Sequence, residues 1–168
     1  PFQSFIVGSV FGWFAAAGER RFRTAYVESG KGSGKTPLAA GVGVYGLVAD
    51  GEPNPEVYSA ATTHDQAAIA FKDAKRMIEN SEELGGVVEV LAGALANDSN
   101  NGIFRAVSSE HRGLDGKRVF IALLDEVHEH PTALVVDKMR AGLKARKNGL
   151  VFEISNSGDD LESVCWHH

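Results

Sequence analysis

Two short stretches of this sequence combine the residue types that bind phosphates and metal ions. The first, SGKGSGKT at residues 29–36, is rich in glycine and ends in a lysine and a threonine. The second, VFIALLDE, is an apolar run that ends in two adjacent carboxylates, Asp125 and Glu126. Glycines let main-chain N–H groups approach an anion, and charged side chains bind a phosphate and its metal. The two stretches predict a site for a nucleoside triphosphate with Mg²⁺.

The residues of the glycine-rich stretch have separate expected roles. Lys35 is expected to reach the β- and γ-phosphates, and the Thr36 hydroxyl to bind Mg²⁺. The usual motif, G-x-x-x-x-G-K-[ST], begins with glycine, whereas Ser29 stands at that position here. A flexible turn with an incidental GKT is the alternative. On the nucleotide interpretation, the phosphates are held by Gly32, Ser33, Gly34, Lys35 and Thr36.

The acidic pair favours hydrolysis over transfer of a phosphoryl group to a second substrate. A buried strand that ends in Asp-Glu is the pattern of a Walker B element. Asp125 is expected to hold the metal through a bound water, and Glu126 to polarise the attacking water. P-loop kinases seldom carry a glutamate beside this aspartate, so ADP and phosphate are the expected products. A buried strand with an acidic exit and no catalytic role is the alternative.

The composition allows one compact α/β domain. A chain of 168 residues, 43% of them hydrophobic, is long enough for a full core. The net charge of −5 gives no general attraction to nucleic acid, so any contact with DNA needs a local basic patch. The single cysteine, Cys165, fits a reducing compartment. The apolar run FIVGSVFGWFAAAG is too short to span a bilayer, and a start at Pro1 suggests a fragment of a longer protein.

Predicted strands and helices alternate along the chain. Strands are predicted at 25–29, 56–62, 87–91, 103–108, 118–126 and 150–155. Helices are predicted after the glycine-rich stretch, at 63–80 and at 131–147, with turn-rich connections at 93–102 and 109–117. Gly41, Gly43 and Gly46 in the first helix are expected to mark close packing. The alternation favours a mostly parallel sheet, which binds ligands at the carboxyl ends of its strands.

With these motifs in place, nearly the whole chain resembles the ATPase domain of the large terminase subunit of tailed bacteriophages. The resemblance rests on PFQSFIVGSVFGW, RRFRTAYVE, LVFEISNSG and, most specifically, AVSSEHRGLDGKRVFIALLDEVHEHP. In this family the first position of the phosphate loop need not be glycine, so Ser29 at that position does not argue against a nucleotide site. The implied fold is an α/β P-loop NTPase of the additional-strand, RecA-like type, with a mostly parallel central sheet and helices on both faces.

The resemblance also implies roles for residues outside the two motifs. Gln3 matches a glutamine that reads adenine. Lys31 stands where the family has an arginine that neutralises charge on the γ-phosphate; lysine keeps the charge but loses the forked donor geometry. Ser155, Asn156 and Ser157 match a coupling motif that senses the γ-phosphate and passes its loss to the parts that grip DNA.

The implied function is ATP hydrolysis with Mg²⁺ that moves double-stranded DNA into a viral procapsid. The expected partners are DNA, a portal protein, a small terminase subunit and further copies in a homo-oligomeric ring, although the isolated fragment could be a monomer. We expect residues 1–168 to form one ATPase domain of a longer chain, located in the host cell cytoplasm, with no membrane contact. The family's nuclease domain is absent, so no nuclease activity is expected.

Two alternatives and several side chains remain open at this stage. A RecA-like helicase domain and an inactive nucleotide-binding assembly scaffold would carry similar motifs. The HEH run at 128–130 lacks further ligands at zinc spacing and is interpreted as loop residues near the γ-phosphate. The basic groups at 20–23 and 140–147 could face a neighbouring subunit or DNA, or could be solvated. Trp13 and Phe11 are assigned to core packing.

Overall fold

A seven-stranded sheet forms the centre of the molecule. The computed structural model describes residues 2–109, 116–130 and 132–156. The strands are β1 Thr24–Glu28, β2 Glu56–Ala61, β3 Glu89–Val90, β4 Leu95–Asn97, β5 Gly102–Ser108, β6 Val119–Asp125 and β7 Leu150–Ser155. The helices are α1 Phe2–Gly12, α2 Lys35–Val48, α3 His64–Glu79, α4 Glu82–Gly85 and α5 Leu134–Gly142, with 3-10 turns at Val127–Glu129 and Leu143–Ala145. None of the helices in the described ranges is long and apolar enough to cross a membrane.

The order of the strands brings the two sequence motifs together. The order across the sheet is β1-β7-β6-β2-β5-β4-β3, and the first five strands are parallel, while β4 and β3 form an antiparallel edge. One strand, β7, lies between β1, which leads into the glycine loop, and β6, which ends in the acidic pair. This is the additional-strand arrangement, and the mostly parallel α/β fold is confirmed. The carboxyl ends of β1, β7 and β6 therefore meet at one edge of the sheet.

Close packing of α2 on the sheet explains its glycines. A Cβ atom built on Gly46 would lie 2.3 Å from Cδ1 of Ile121, and one on Gly43 would lie 2.7 Å from a ring carbon of Phe104. Gly41, on the same helix, would meet nothing within 4 Å. The sequence-based expectation of close packing is thus confirmed at two of the three positions. All seven residues of β6 are buried, because helices cover the strand on both faces.

Three predicted segments differ from the structure, one of them the strand expected at 87–91, which covers only Glu89–Val90. The helix expected at 131–147 covers only Leu134–Gly142 and then tightens into a 3-10 turn; residue 131 lies outside the described residues. Arg23 donates a hydrogen bond to the carbonyl oxygen of Arg146 at 2.7 Å. In a continued helix this carbonyl oxygen would accept from a main-chain N–H instead. The turn-rich connection predicted at 93–102 contains the short strand β4, which pairs with β5.

The assignment of Trp13 to the core was wrong. Its side chain is 56% exposed and contacts the ring of Phe22, with the ring centroids 5.8 Å apart. The cause is a hairpin after α1, closed by a bridge between Phe14 and Arg20, which carries Trp13 away from the sheet. Phe11, near the end of α1, does pack against the core.

The basic group at 20–23 supports the strand that it precedes. Arg20 is buried, forms an ion pair with Asp50 and donates to the carbonyl oxygen of Val10 at 3.3 Å. Its main-chain N–H donates to Asn148 at 2.8 Å. Because these contacts occupy the guanidinium group inside the domain, Arg20 is not placed to reach the nucleotide of a neighbouring subunit.

Candidate nucleotide-binding site

The glycine-rich loop leads directly into the first turn of α2. Gly32 and Gly34 have positive φ angles of 81° and 82°, a conformation that glycine adopts without strain. A Cβ atom at Gly32 would meet no atom within 4 Å, so the space beside the loop is open. The first N–H groups of a helix have no intrahelical acceptor, and those of α2 begin at Lys35. The loop and helix therefore present main-chain donors to an anion.

Ser29 replaces the usual glycine without strain. It is not among the residues with positive φ, so its backbone does not require glycine. Its hydroxyl lies 2.7 Å from the hydroxyl of Ser33, across the loop. Its main-chain N–H donates to the carbonyl oxygen of Ser155 at 3.1 Å, which fixes the loop to the end of β7.

The threonine of the loop contacts the first of the two acids. The Thr36 hydroxyl donates to Oδ2 of Asp125 at 3.0 Å. Asp125 is only 7% exposed, and burial raises the pKa of its carboxyl group, although the hydrogen bond from Thr36 acts in the opposite direction. A hydroxyl and a buried carboxylate are the oxygen ligands that Mg²⁺ prefers, and a cation here would offset the cost of burying the charge. The residues present therefore fit a magnesium ion that is completed by phosphate oxygens and water.

The second acid adopts an unusual backbone conformation. Glu126 has φ 49° and ψ 51°, the left-handed region, which is rare for residues other than glycine. Its N–H donates to Oδ1 of Asp125 at 2.8 Å, and the 3-10 turn that follows begins at Val127. Its carboxylate is thereby directed towards Lys35, with Nζ 3.3 Å from Oε1. Strain of this kind is held in place by surrounding contacts and is common at functional sites.

Asn156 connects Lys35 and Glu126 from the end of β7. Lys35 is only 5% exposed and donates from Nζ to Oδ1 of Asn156 at 2.7 Å. The amide nitrogen of Asn156 donates to Oε2 of Glu126 at 3.1 Å. The side chains of Lys35, Asn156 and Glu126 therefore all contact one another. A phosphate that binds Lys35 has to draw it away from Asn156 and Glu126.

The remaining predicted residues lie at the margins of the site. Nε2 of Gln3, on α1, lies 3.3 Å from the position of a Cβ atom on Gly34, so Gln3 contacts the loop. Gln3 also lines an apolar groove of about 450 Å³ between α1 and α2. Lys31 is exposed in the loop. Ser157, predicted to take part in coupling, lies outside the described residues.

A family comparison identifies the family to which this fold belongs. The model of the family described as "Terminase large subunit, ATPase domain" matches residues 1–168. The chain belongs to the large-terminase ATPase family. The resemblance predicted from the sequence is confirmed.

Individual relatives agree with the family match. The chain is 29% identical over 128 residues to the terminase large subunit of Enterobacteria phage HK97, which covers 73% of this chain and 25% of that protein. The crystal structure of the HK97 large terminase superposes with a TM-score of 0.85 and 27% identity, over 98% of this chain and 34% of that one. The ATPase domain of the Thermus phage P74-26 large terminase shares the fold, with a TM-score of 0.67 and 21% identity, over 91% of this chain and 69% of that one. This terminase domain thus spans between a quarter and a third of the length of its HK97 relative.

A further relative has been solved with nucleotide. The large terminase of a thermophilic bacteriophage, in complex with ATP-γ-S, has a TM-score of 0.65 and 14% identity, over 92% of this chain and 38% of that one. At this identity the likeness shows the fold alone.

Sequence reasoning missed contacts of the two histidines that follow the terminase acidic pair. Nε2 of His130 lies 3.2 Å from the carbonyl oxygen of Asp125, so this nitrogen carries the proton; burial lowers the pKa of His130. Nδ1 of His128 lies 3.0 Å from the hydroxyl of Ser155 and 3.3 Å from Oε2 of Glu126. The HEH run signalled polar side chains close to the acids, but the spacing could not show their partners. No group of three or more acidic, histidine or cysteine side chains in the described ranges forms a metal site.

Proposed function

We propose that this terminase domain hydrolyses ATP with Mg²⁺ and couples the reaction to movement of double-stranded DNA into a viral procapsid. The observation that carries the proposal is the contact between Thr36 and Asp125, which joins the glycine loop to the acidic pair. A triphosphate and its metal require these two elements side by side. The nucleotide complex of a relative with the same fold supports the proposal.

The proposed roles combine the positions of the side chains with the family resemblance, which alone assigns Gln3 to the adenine. Lys35, with the main-chain amides of Gly32, Ser33 and Gly34, holds the phosphates, and Gln3 contacts the adenine. Thr36 and Asp125 hold Mg²⁺, Asp125 through water. When bound there, the ion would neutralise charge on the phosphate oxygens. The residues proposed to bind and hydrolyse the nucleotide are Gln3, Lys31, Gly32, Ser33, Gly34, Lys35, Thr36, Asp125 and Glu126.

The hydrolytic step depends on Glu126 and on positive charge around the transferred phosphoryl group. Glu126 accepts a hydrogen bond from the attacking water and orients its oxygen towards the γ-phosphorus. The P–O bond to the leaving ADP breaks as the water oxygen bonds to phosphorus, and a proton of that water passes to the Glu126 carboxylate. Lys35 and Lys31 neutralise the negative charge that spreads over the γ-phosphate oxygens during this step.

The position of β7 supplies a route from the site to the rest of the motor. Ser155 and Asn156 lie between the loop and the acids, because β7 lies between β1 and β6. Loss of the γ-phosphate would return Lys35 to Asn156 and alter the end of β7, and Ser157 is part of the same proposed coupling segment. We propose that residues 1–168 form one ATPase domain of a longer chain that also carries a nuclease domain.

The partners proposed for this chain come from its family. They are double-stranded DNA, a portal protein, a small terminase subunit and further copies in a ring, all in the host cell cytoplasm. The isolated domain is expected to be a monomer, and any nuclease activity belongs to the nuclease domain. An inactive assembly scaffold would share the fold but would not turn over ATP.

Steady-state turnover tests the proposed function. With ATP and Mg²⁺ the protein is expected to release phosphate, and chelation of Mg²⁺ by EDTA is expected to reduce the rate to background, because Thr36 and Asp125 then hold no cation. Restoring excess Mg²⁺ should restore the rate. If the domain and the assembled ring both bind nucleotide but release no phosphate at any Mg²⁺ concentration, the inactive assembly scaffold is favoured.

A further inference from the structure

The side chain of His128 lies between the proposed catalytic glutamate and the end of β7. Its Nδ1 is 3.3 Å from Oε2 of Glu126 and 3.0 Å from the hydroxyl of Ser155. Its main-chain N–H also donates to the Ser155 hydroxyl at 3.1 Å. Two separate contacts therefore join the turn after β6 to β7, one through the backbone and one through the imidazole.

The acceptors that face Nδ1 point to where the imidazole proton lies, since the carboxylate near Nε2, that of Glu129, is 3.9 Å away and beyond hydrogen-bond distance. The Ser155 hydroxyl donates to the carbonyl oxygen of Asn156 at 2.9 Å, so its oxygen is an acceptor towards His128. The Glu126 carboxylate is an acceptor as well. Because Nδ1 of His128 faces two acceptors, Nδ1 carries a proton, which it shares between Ser155 and Glu126.

The two oxygens of Glu126 are held differently. Oε1 contacts Lys35 at 3.3 Å, whereas Oε2 accepts from Asn156 at 3.1 Å and lies 3.3 Å from Nδ1 of His128. When Lys35 turns to a phosphate, Oε1 is released and can accept a hydrogen bond from water. Asn156 and His128 continue to hold Oε2, and the backbone of Glu126 is in a strained conformation that needs such support.

We propose that His128 is a positioning residue for ATP hydrolysis: its Nδ1–H fixes Oε2 of Glu126 to the end of β7, so that Oε1 faces the attacking water. This inference rests on the proposed function, since it assigns Glu126 its hydrolytic role. It adds a residue that acts through Glu126 and does not itself contact the nucleotide. Because the main-chain bond from His128 to Ser155 does not depend on the side chain, replacing the imidazole leaves the turn anchored.

An NMR measurement tests the proton position without any nucleotide. In long-range ¹H–¹⁵N spectra of the protein, at a pH where the ring is neutral, His128 is expected to be protonated at Nδ1, the less common tautomer of neutral histidine. The signal is assigned as the one that disappears in His128→Asn. A His128 ring protonated only at Nε2 would overturn the proposal, whether or not the isolated domain hydrolyses ATP.

Kinetics of three variants test the positioning role. Asparagine can place an N–H near the position of Nδ1, glutamine places its amide farther out, near Nε2, and phenylalanine has no donor. We expect His128→Gln and His128→Phe to lower kcat by roughly tenfold or more, with KM for ATP within about twofold, because a hydrogen bond to a charged group is lost. His128→Asn should retain most of the wild-type kcat.

The outcomes separate this inference from the proposed function. If the wild type releases phosphate and all three variants match it, His128 has no positioning role and the inference is wrong. If all three variants lose activity equally, the donor at Nδ1 is not what matters, and the inference is again wrong. If neither the domain nor the assembled ring hydrolyses ATP, the proposed function fails, while the NMR result still decides the hydrogen-bond arrangement.

Discussion

Replacing Glu126 with glutamine is expected to lower kcat for ATP hydrolysis by about 10³-fold, the range for loss of a general base, while ATP affinity changes by only a few-fold. Glutamine has the size of glutamate, and its one amide oxygen can still accept from one of the two donors, Lys35 and Asn156, which lie 3.3 Å and 3.1 Å from the carboxylate oxygens. It cannot accept a proton from water at neutral pH. Phosphate release and binding of a fluorescent ATP analogue, measured on the same sample, check both parts.

Glu129→Gln is the matched control for this variant. Glu129 lies three residues along the same turn, is exposed and accepts a hydrogen bond from Gln66 at 2.7 Å. The substitution removes the same charge from the same turn but at a side chain whose contacts are with Gln66 and, at 3.9 Å, with Nε2 of His128. We expect near wild-type turnover. Equal losses in the two variants would show that net charge, and not a base at Glu126, controls the rate.

Replacing Lys35 with alanine is expected to raise the dissociation constant for ATP by roughly 10- to 100-fold, the worth of a charge-assisted hydrogen bond, and to abolish measurable turnover. The side chain is only 5% exposed and is directed across the loop towards the acids, where the γ-phosphate would lie. Among the side chains of the phosphate loop, Lys35 is the only cation in contact with Glu126, and the substitution by alanine removes it. Equilibrium titration with ATP and a phosphate-release assay measure the two effects.

Lys31→Ala provides the comparison within the loop. Lys31 is exposed, and its proposed contribution is to the charge that develops during hydrolysis. We therefore expect this variant to lower kcat but to leave ATP affinity within a few-fold of the wild type. If Lys31→Ala and Lys35→Ala weaken binding equally, the loop attracts ATP only by its overall charge. If Lys35→Ala binds ATP like the wild type, the phosphates lie elsewhere.

The elements that the sequence predicted well are those with strong local signals. The helix α3, predicted at 63–80, has an N-cap at Thr63, whose hydroxyl accepts from the N–H of Gln66 at 3.3 Å; a threonine followed three residues later by glutamine is a helix-capping pattern. Strand β6 is an uninterrupted apolar run and was predicted almost to its bounds. In contrast, β4 has only three residues, and its neighbouring glycines and asparagines favour a turn. Its strand conformation comes from pairing with β5, which local sequence does not encode.

The candidate site was predictable as a set of residues but not as a network. The loop and the acids each have a recognisable pattern, and the parallel sheet implies that they meet. The contacts of Asn156 with Lys35 and Glu126 depend on the insertion of β7 between β1 and β6, which only the family resemblance suggested. His128 follows the end of β6, and Ser155 is the last residue of β7. Their contact joins the ends of two different strands, and the spacing of residues along the chain does not predict it. Trp13 was assigned to the core because a large aromatic side chain is usually buried; a single glycine, Gly18, marks the turn of the hairpin that exposes it.

A crystal structure of the protein with Mg²⁺ and ATP-γ-S would test the central claim most directly. We expect the β- and γ-phosphates to accept hydrogen bonds from the main-chain amides between Gly32 and Thr36, with Lys35 drawn from Asn156 to the γ-phosphate. The magnesium ion should contact the Thr36 hydroxyl and lie within one water of Asp125. A nucleotide bound outside this loop, or a metal bound away from Thr36 and Asp125, would contradict the account.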